Sequence, residues 1–336
     1  MDSVSQMALG AAVSVAVMGG RVPVVKAAVV GGLLGTLPDL DVVIDYGDAI
    51  RNMTFHRGES HSLFWLTLAS PVAAWITAKL ASGGMHLRHW WLAVWLVWIT
   101  HVLLDAMTIY GTQLLLPFSN YPVGVGSIFI IDPLYTVPLL IGLGLACWRG
   151  NPRGLNANRN GLILSTLYLC WGVMAQQYVA RLADQSLQQA GVEVEQRLVL
   201  PTPLNSLLWR VLVITPDGYA EGFYSLLEGS NDISFYHFDR GMEWQEVLAD
   251  QWQVQRLAWF THGFYKLSQR ENQILVTDLR MGQEPYYFFN FVVASNASGE
   301  WQFSKPIHIR EREDMSRGLR WIGQRIHDSR AAPLTR

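Results

Sequence analysis

The sequence predicts a membrane α-helical bundle of about six hydrophobic segments, followed by a soluble α+β domain. Three observations carry that expectation. Charged residues make up only 15% of the 336-residue chain, where soluble domains average about 25%. The deficit lies in the first half: from Leu63 to Leu80 the only charge is Lys79, and Trp90 to Leu104 carries none. After about residue 190 the chain turns to short runs rich in β-branched and aromatic residues, separated by Gly, Pro, Asn and Asp, the pattern of an antiparallel sheet. The expected division is a transmembrane domain over 1–190 and a soluble α+β domain over 191–336.

Taken in order, the first two apolar segments, 5–19 and 23–37, are short and Gly/Ala-rich, as in Gly31-Gly32-Leu33-Leu34-Gly35. Small residues let helix backbones approach closely in lipid, so the pair reads as a packed hairpin of spanning helices or a re-entrant pair covered by protein. Segments 61–80, 90–106, 133–148 and 161–180 approach the roughly 20 residues needed to cross a bilayer. Trp90, Trp91 and Trp148 sit near segment ends, where interfacial anchors concentrate. Pro201-Thr202-Pro203 punctuates the boundary to the second domain. Beyond it, 210–214, 222–227, 233–238, 274–279 and 286–293 read as strands, and 243–253 and 315–326 as helices.

Basic residues orient the bundle. Arg21 and Lys26 lie between segments one and two, Lys79, Arg88 and His89 between three and four, and Arg149, Arg153 and Arg159 between five and six. In an alternating six-segment arrangement these loops share one face, which the positive-inside rule makes cytoplasmic. Both termini, the 38–60 and 107–132 loops, and the second domain are then expected outside, in the periplasm of a Gram-negative-type cell. Arg51 and Arg57 are exceptions, and both lie in a polar region at the outer face. The first segment lacks a basic region before it and reads as retained rather than cleaved. A formal net charge of -2 provides no basic footprint for a nucleic-acid partner. Two cysteines, Cys147 and Cys170, both in apolar segments, make no disulfide framework.

Three polar clusters sit at segment ends on that outer face: Pro38-Asp39-Leu40-Asp41, His56-Arg57-Gly58-Glu59-Ser60-His61-Ser62, and His101-Val102-Leu103-Leu104-Asp105. Carboxylates offer hard oxygens and neutral His a borderline nitrogen, the donor set of zinc and its neighbours. His101 and Asp105 are spaced i,i+4 and share one helix face. An extended Asp39-x-Asp41 would aim both carboxylates to one side. His56 and His61 flank a Gly-containing turn from which both rings could converge. Taken singly, each cluster also fits a structural role: a helix cap, an interfacial side chain, a helix-packing hydrogen bond. Three on one membrane face, where unpaired charge is costly and usually functional, point to a metal site. Asp132, just before Pro133, is a further carboxylate there.

These residues also carry a resemblance. Leu37-Pro38-Asp39-Leu40-Asp41, His56-Arg57-Gly58-x-Ser60-His61-Ser62 and Thr100-His101-x-x-x-Asp105 resemble the LexA-regulated, membrane-bound, predicted metal-dependent hydrolases of the YdjM type. Tyr110-Gly111-Thr112-Gln113 and Ile131-Asp132-Pro133-Leu134-Tyr135 resemble its longer members with a C-terminal domain. The resemblance covers roughly 1–180. It departs at Ser60, where Thr is commoner, and at Gln6, where many relatives carry His; Gln6 is therefore not counted as a ligand. It implies a phospholipase-like hydrolase of the bacterial inner membrane. The expected ligands are Asp39, Asp41, His56, His61, His101 and Asp105, holding one or two divalent ions, zinc first. Six ligands exceed the three or four usual for one catalytic zinc. Asp132 is expected as a further ligand or an orienting carboxylate, and Arg57 as a partner for a substrate phosphate or a snorkelling side chain. Tyr110, Thr112 and Gln113 are weaker head-group candidates. The expected substrate is a phospholipid or other lipid-linked ester. A metal-binding transporter or accessory protein is the competing class, although the charges lie at segment ends rather than the midplane. No His-Glu-x-x-His motif supports an intramembrane protease.

Overall fold

A computed structural model of the chain describes residues 1–150, 152–230, 232–297, 299–309 and 315–334. Its helices are α1 (Ser3–Met18), α2 (Val24–Thr36), α3 (Ala49–Phe55), α4 (Leu63–Ser82), α5 (Leu87–Met107), α6 (Pro133–Arg149), α7 (Arg153–Gln189), α8 (Gln245–Leu248), α9 (Trp252–Phe260) and α10 (Met315–His327). The strands are β1 (Gln196–Pro201), β2 (Leu208–Thr215), β3 (Gly218–Ser225), β4 (Phe235–Phe238), β5 (Tyr265–Arg270), β6 (Gln273–Asp278), β7 (Gly282–Gln283), β8 (Tyr286–Tyr287), β9 (Asn290–Ala297) and β10 (Glu300–Ile309). Contacts divide the chain into two compact units: Met1–Val43 with Arg57–Val173, and Ile44–His56 with Met174–Arg336.

All six apolar segments are helical, but only α4, α5 and α7 are both long and apolar enough to cross a membrane; α1, α2 and α6 are shorter apolar helices. The expected six spans therefore reduce to three strong candidates. In the helical unit α1 packs along α2, α5 and α6, and α4 along α5. Glycine sets the first contact. A Cβ on Gly10 would lie 2.5 Å from the Gly31 carbonyl oxygen, and one on Gly31 would lie 2.4 Å from that of Gly10. Such closeness replaces the hydrophobic driving force that helices lack in lipid. The core of the unit joins Leu9, Ala12, Leu34, Val94, Val97, Trp98 and Leu139. Helix α2 stops because Pro38 cannot continue it. A 3₁₀ turn, Pro38–Val43, follows. A second 3₁₀ turn, Glu59–His61, leads into α4, whose first turn is capped by the Ser62 hydroxyl accepting from the Trp65 amide.

In the other unit two antiparallel four-stranded sheets run β1-β2-β3-β4 and β10-β9-β6-β5, with β7-β8 as a small ribbon. Strands β2 and β3 are buried throughout, which is why they read as apolar runs. Strands β1, β5 and β10 lack that signal; β10 shows mostly exposed residues. The helix expected over 243–253 is instead a 3₁₀ turn, the short α8, and α9 beginning at Trp252.

Candidate metal centre

Four side chains from three chain segments converge in the helical unit. Asp39 comes from the 3₁₀ turn after α2, His61 from the one before α4, and His101 and Asp105 from the last turns of α5. Each offers a ligand atom, and these atoms lie within 4.8 Å of one another. His61 Nε2 lies 3.4 Å from His101 Nε2, 3.3 Å from Asp39 Oδ1 and 3.2 Å from Asp105 Oδ2. His101 Nε2 lies 3.5 Å from Asp39 Oδ1 and 3.3 Å from Asp105 Oδ2. Ligand bonds of about 2.0–2.2 Å arranged tetrahedrally give ligand-to-ligand edges of roughly 3.3–3.6 Å. Five edges of the set cluster about that range. The group could therefore hold a metal ion, and its donors suit a borderline divalent cation.

The surroundings leave the right atoms facing inward. Trp98 Nε1 donates to the Leu34 carbonyl and His101 Nδ1 lies 2.7 Å from that of Gly35. These are carbonyls of the last turn of α2, where helical partners run out. A carbonyl can only accept, so His101 carries a proton on Nδ1, and in the neutral ring a metal would require, the lone pair falls on Nε2. Asp105 is divided between two tasks. Its Oδ1 meets the Met1 amino group, Gln6 Nε2 at 3.0 Å and Arg57 Nη2 at 3.3 Å. Its Oδ2 has no hydrogen-bond partner among the described residues and faces the two imidazoles. The side chain of Asp39 is 21% exposed, whereas those of His61 and Asp105 are fully buried; the centre opens on the Asp39 side.

Arg57 stands beside this group. Its backbone adopts φ +63°, unusual for a residue with a Cβ and costing about 1–3 kcal/mol. Two contacts pin it there: its amide donates to Asp41 Oδ2 at 2.9 Å, and its carbonyl accepts from the Gln113 amide at 3.0 Å. The guanidinium lies 4.8 Å from the centroid of the Tyr110 ring. It is buried, and its Nε and Nη1 have no partner among the described residues.

The remaining candidates fall elsewhere. Asp41 and Asp39 diverge because their segment is a 3₁₀ turn, with three residues per turn, not an extended strand. Asp41 instead accepts from the Ser60 hydroxyl at 2.6 Å. His56 ends α3 and belongs to the other unit. Asp132 caps α6: Oδ1 accepts from the Leu134 amide at 3.0 Å and Oδ2 from the Tyr168 hydroxyl at 2.8 Å. Gln6, set aside on sequence, bonds to both Asp105 and the His101 carbonyl. The signal that could have placed it is its spacing: Gln6 and Gly10, four apart, share the α1 face turned to α2, where a Cβ on Gly35 would lie 2.7 Å from the Gln6 carbonyl oxygen.

A family model described as YdjM inner membrane protein matches residues 1–179. The chain belongs to the YdjM inner membrane protein family. All four residues of the candidate centre lie in the matched stretch. An uncharacterized Bacillus subtilis protein, YfhP, is 28% identical over 211 residues, 61% of this chain and 61% of that relative. The match thus spans about three fifths of the relative's length. No solved structure matches the chain.

Proposed function

We propose that this protein is a metal-dependent hydrolase that cleaves a phospholipid or another lipid-linked phosphoester at the outer face of the inner membrane. The observation that carries the reading is the convergence of His61 Nε2, His101 Nε2, Asp39 Oδ1 and Asp105 Oδ2, five of whose spacings are 3.2–3.5 Å. A zinc-like ion held there would lower the pKa of a bound water to about 7 and polarise the scissile group. His61, His101 and Asp105 form the buried part of the ligand set. Asp39, on the open side, would hold the ion where water and substrate can approach it. Asp41 and His56 are not needed for one ion, and Asp132 supports α6.

Arg57 binds the substrate's phosphate. The buried guanidinium meets Asp105 through Nη2, and its Nε and Nη1, which have no hydrogen-bond partner among the described residues, remain as donors for phosphate oxygens. The 3₁₀ turn that carries Asp39 also exposes Leu40, Val42 and Val43, a surface that suits an amphiphile. The second domain is proposed to be periplasmic and to gate substrate access.

Metal analysis of purified protein tests the centre: the wild type should carry a divalent transition metal. Turnover of defined phospholipids, compared with soluble esters, tests the substrate; Arg57→Ala should abolish lipid cleavage while metal content stays. Cleavage of soluble esters alone, indifferent to Arg57→Ala, would refute the lipid reading. A C-terminal phosphatase fusion should be active and a fluorescent fusion that matures only in the cytoplasm should be dark.

A further inference from the structure

We infer that Ser60 and Asp41 form a relay that sets the tautomer of His61, so that Asp41 positions a ligand instead of being one. This rests on the metal reading above. His61 Nδ1 lies 2.9 Å from Ser60 Oγ, and Ser60 Oγ lies 2.6 Å from Asp41 Oδ2. The direct separation of His61 Nδ1 from Asp41 Oδ2 is 3.8 Å, beyond a hydrogen bond. The hydroxyl is therefore the bridge. An ionised carboxylate only accepts, so the Ser60 proton points to Asp41. That leaves a lone pair of Ser60 Oγ toward His61, which must then carry its proton on Nδ1. Nε2 is left with its lone pair facing His101, Asp39 and Asp105.

Metal-bound histidines usually donate their second ring N–H to a carboxylate or carbonyl. Here the two imidazoles use different devices. His101 meets the Gly35 carbonyl directly, a neutral partner fixed by α2. His61 reaches an anion through a hydroxyl, and the same Asp41 oxygen accepts the amide of Arg57 at 2.9 Å. One carboxylate oxygen thus sets both the His61 tautomer and the left-handed Arg57 backbone. That division of labour explains the close spacing of Arg57, Ser60 and His61: the turn Glu59–His61 brings hydroxyl and ring together, while Arg57 is held by the same oxygen.

The experiment uses the full-length protein in detergent with Co²⁺ as the probe, and NMR of its ¹⁵N-histidine-labelled, metal-free form. In the wild type the His61 Hδ1 proton should be seen, slowed in exchange by Ser60. Ser60→Ala should lose that protection and bind Co²⁺ about 10–100-fold more weakly, the usual cost of an outer-shell partner. Ser60→Thr, which keeps the hydroxyl, should restore both. Asp41→Asn should bind Co²⁺ more weakly but in the same number of ions per chain. Wild-type Co²⁺ affinity with an unchanged Hδ1 signal in Ser60→Ala would overturn the relay. Loss of one of two ions in Asp41→Asn would overturn it too, by making Asp41 a ligand. A protected Hδ1 that depends on Ser60, in a protein that binds no Co²⁺, would support the relay and refute the metal reading instead.

Discussion

The helical and sheet units each bury a cluster of charged side chains, and the two clusters are built on opposite principles. In the sheet unit, Arg210 pairs with Glu221 and Lys266 with Glu284. Arg210 Nη1 also donates to the Leu279 carbonyl at 2.8 Å, and the Tyr287 hydroxyl to Glu221 at 2.6 Å. Burial pushes the Tyr219 and Tyr287 hydroxyls up, so both stay protonated and can donate to the glutamates. Two cations meet two anions across β2, β3, β5 and the β7–β8 ribbon. In the helical unit, by contrast, two imidazole nitrogens and two carboxylate oxygens converge on one point, while the neighbouring cations, the Met1 amino group and Arg57, engage the other oxygen of Asp105. The first cluster matches each cation with a carboxylate and ties strands together. The second could hold a metal ion among its four inward-facing donors. A buried charge is thus informative about function only when its own neighbours fail to complete it.

The largest effect that tests this contrast is in the sheet unit. Arg210→Ala leaves Glu221 buried without its cation, which should cost about 3–5 kcal/mol. Chemical denaturation should show the loss, with metal content of the folded fraction unchanged. If stability held, the sheet cluster would not be a staple of its unit. The complementary change is His101→Ala. It removes a proposed ligand and should weaken Co²⁺ binding by more than a hundredfold, above ~2.7 kcal/mol, read by chelator competition. Full occupancy in that variant would dissolve the difference between the clusters.

Metal itself should discriminate the units. At a free zinc concentration of 100 Kd, stability of the helical unit should rise by about 2.7 kcal/mol, with no gain for the sheet unit. Hydrogen exchange in both units, with and without chelator, measures it; equal protection would mean that the ion acts elsewhere. The smallest effect concerns the scaffold of the site. Ser62→Ala removes the cap of α4, where the hydroxyl also donates to the Leu116 carbonyl at 2.5 Å. It should cost about 1 kcal/mol, seen as a small drop in melting temperature with Co²⁺ affinity nearly unchanged. A large loss of affinity instead would move Ser62 into the machinery that positions His61.

Local pattern carried much of this protein. Each of the six apolar runs is a helix, because hydrophobicity over a dozen or more residues is read without knowing the partner. Strands β2, β3, β4 and β6 were visible as β-branched and aromatic runs, whereas β10 was not, since its exposed face breaks the pattern. The spacing of His101 and Asp105 also needs only helix geometry, and the polar motifs suffice to suggest the family. Length in three dimensions was less legible: α1, α2 and α6 are apolar but short, and composition does not fix where a helix stops.

Tertiary structure decided which of the polar residues meet. Asp39 joins His61 across 22 positions, and His61 joins His101 across 40. Whether Asp39 and Asp41 share a side depended on a 3₁₀ turn rather than an extended strand, which Pro38 and the end of α2 determine together. His56 and His61, five apart in sequence, fall in different units. Gln6 reaches Asp105 because α1 packs along α5, a contact between segments about a hundred positions apart. Sequence fixes the donor types and the elements that carry them. Convergence of acceptors on one point is a property of packed backbones, since it rests on contacts between distant segments that no local pattern encodes.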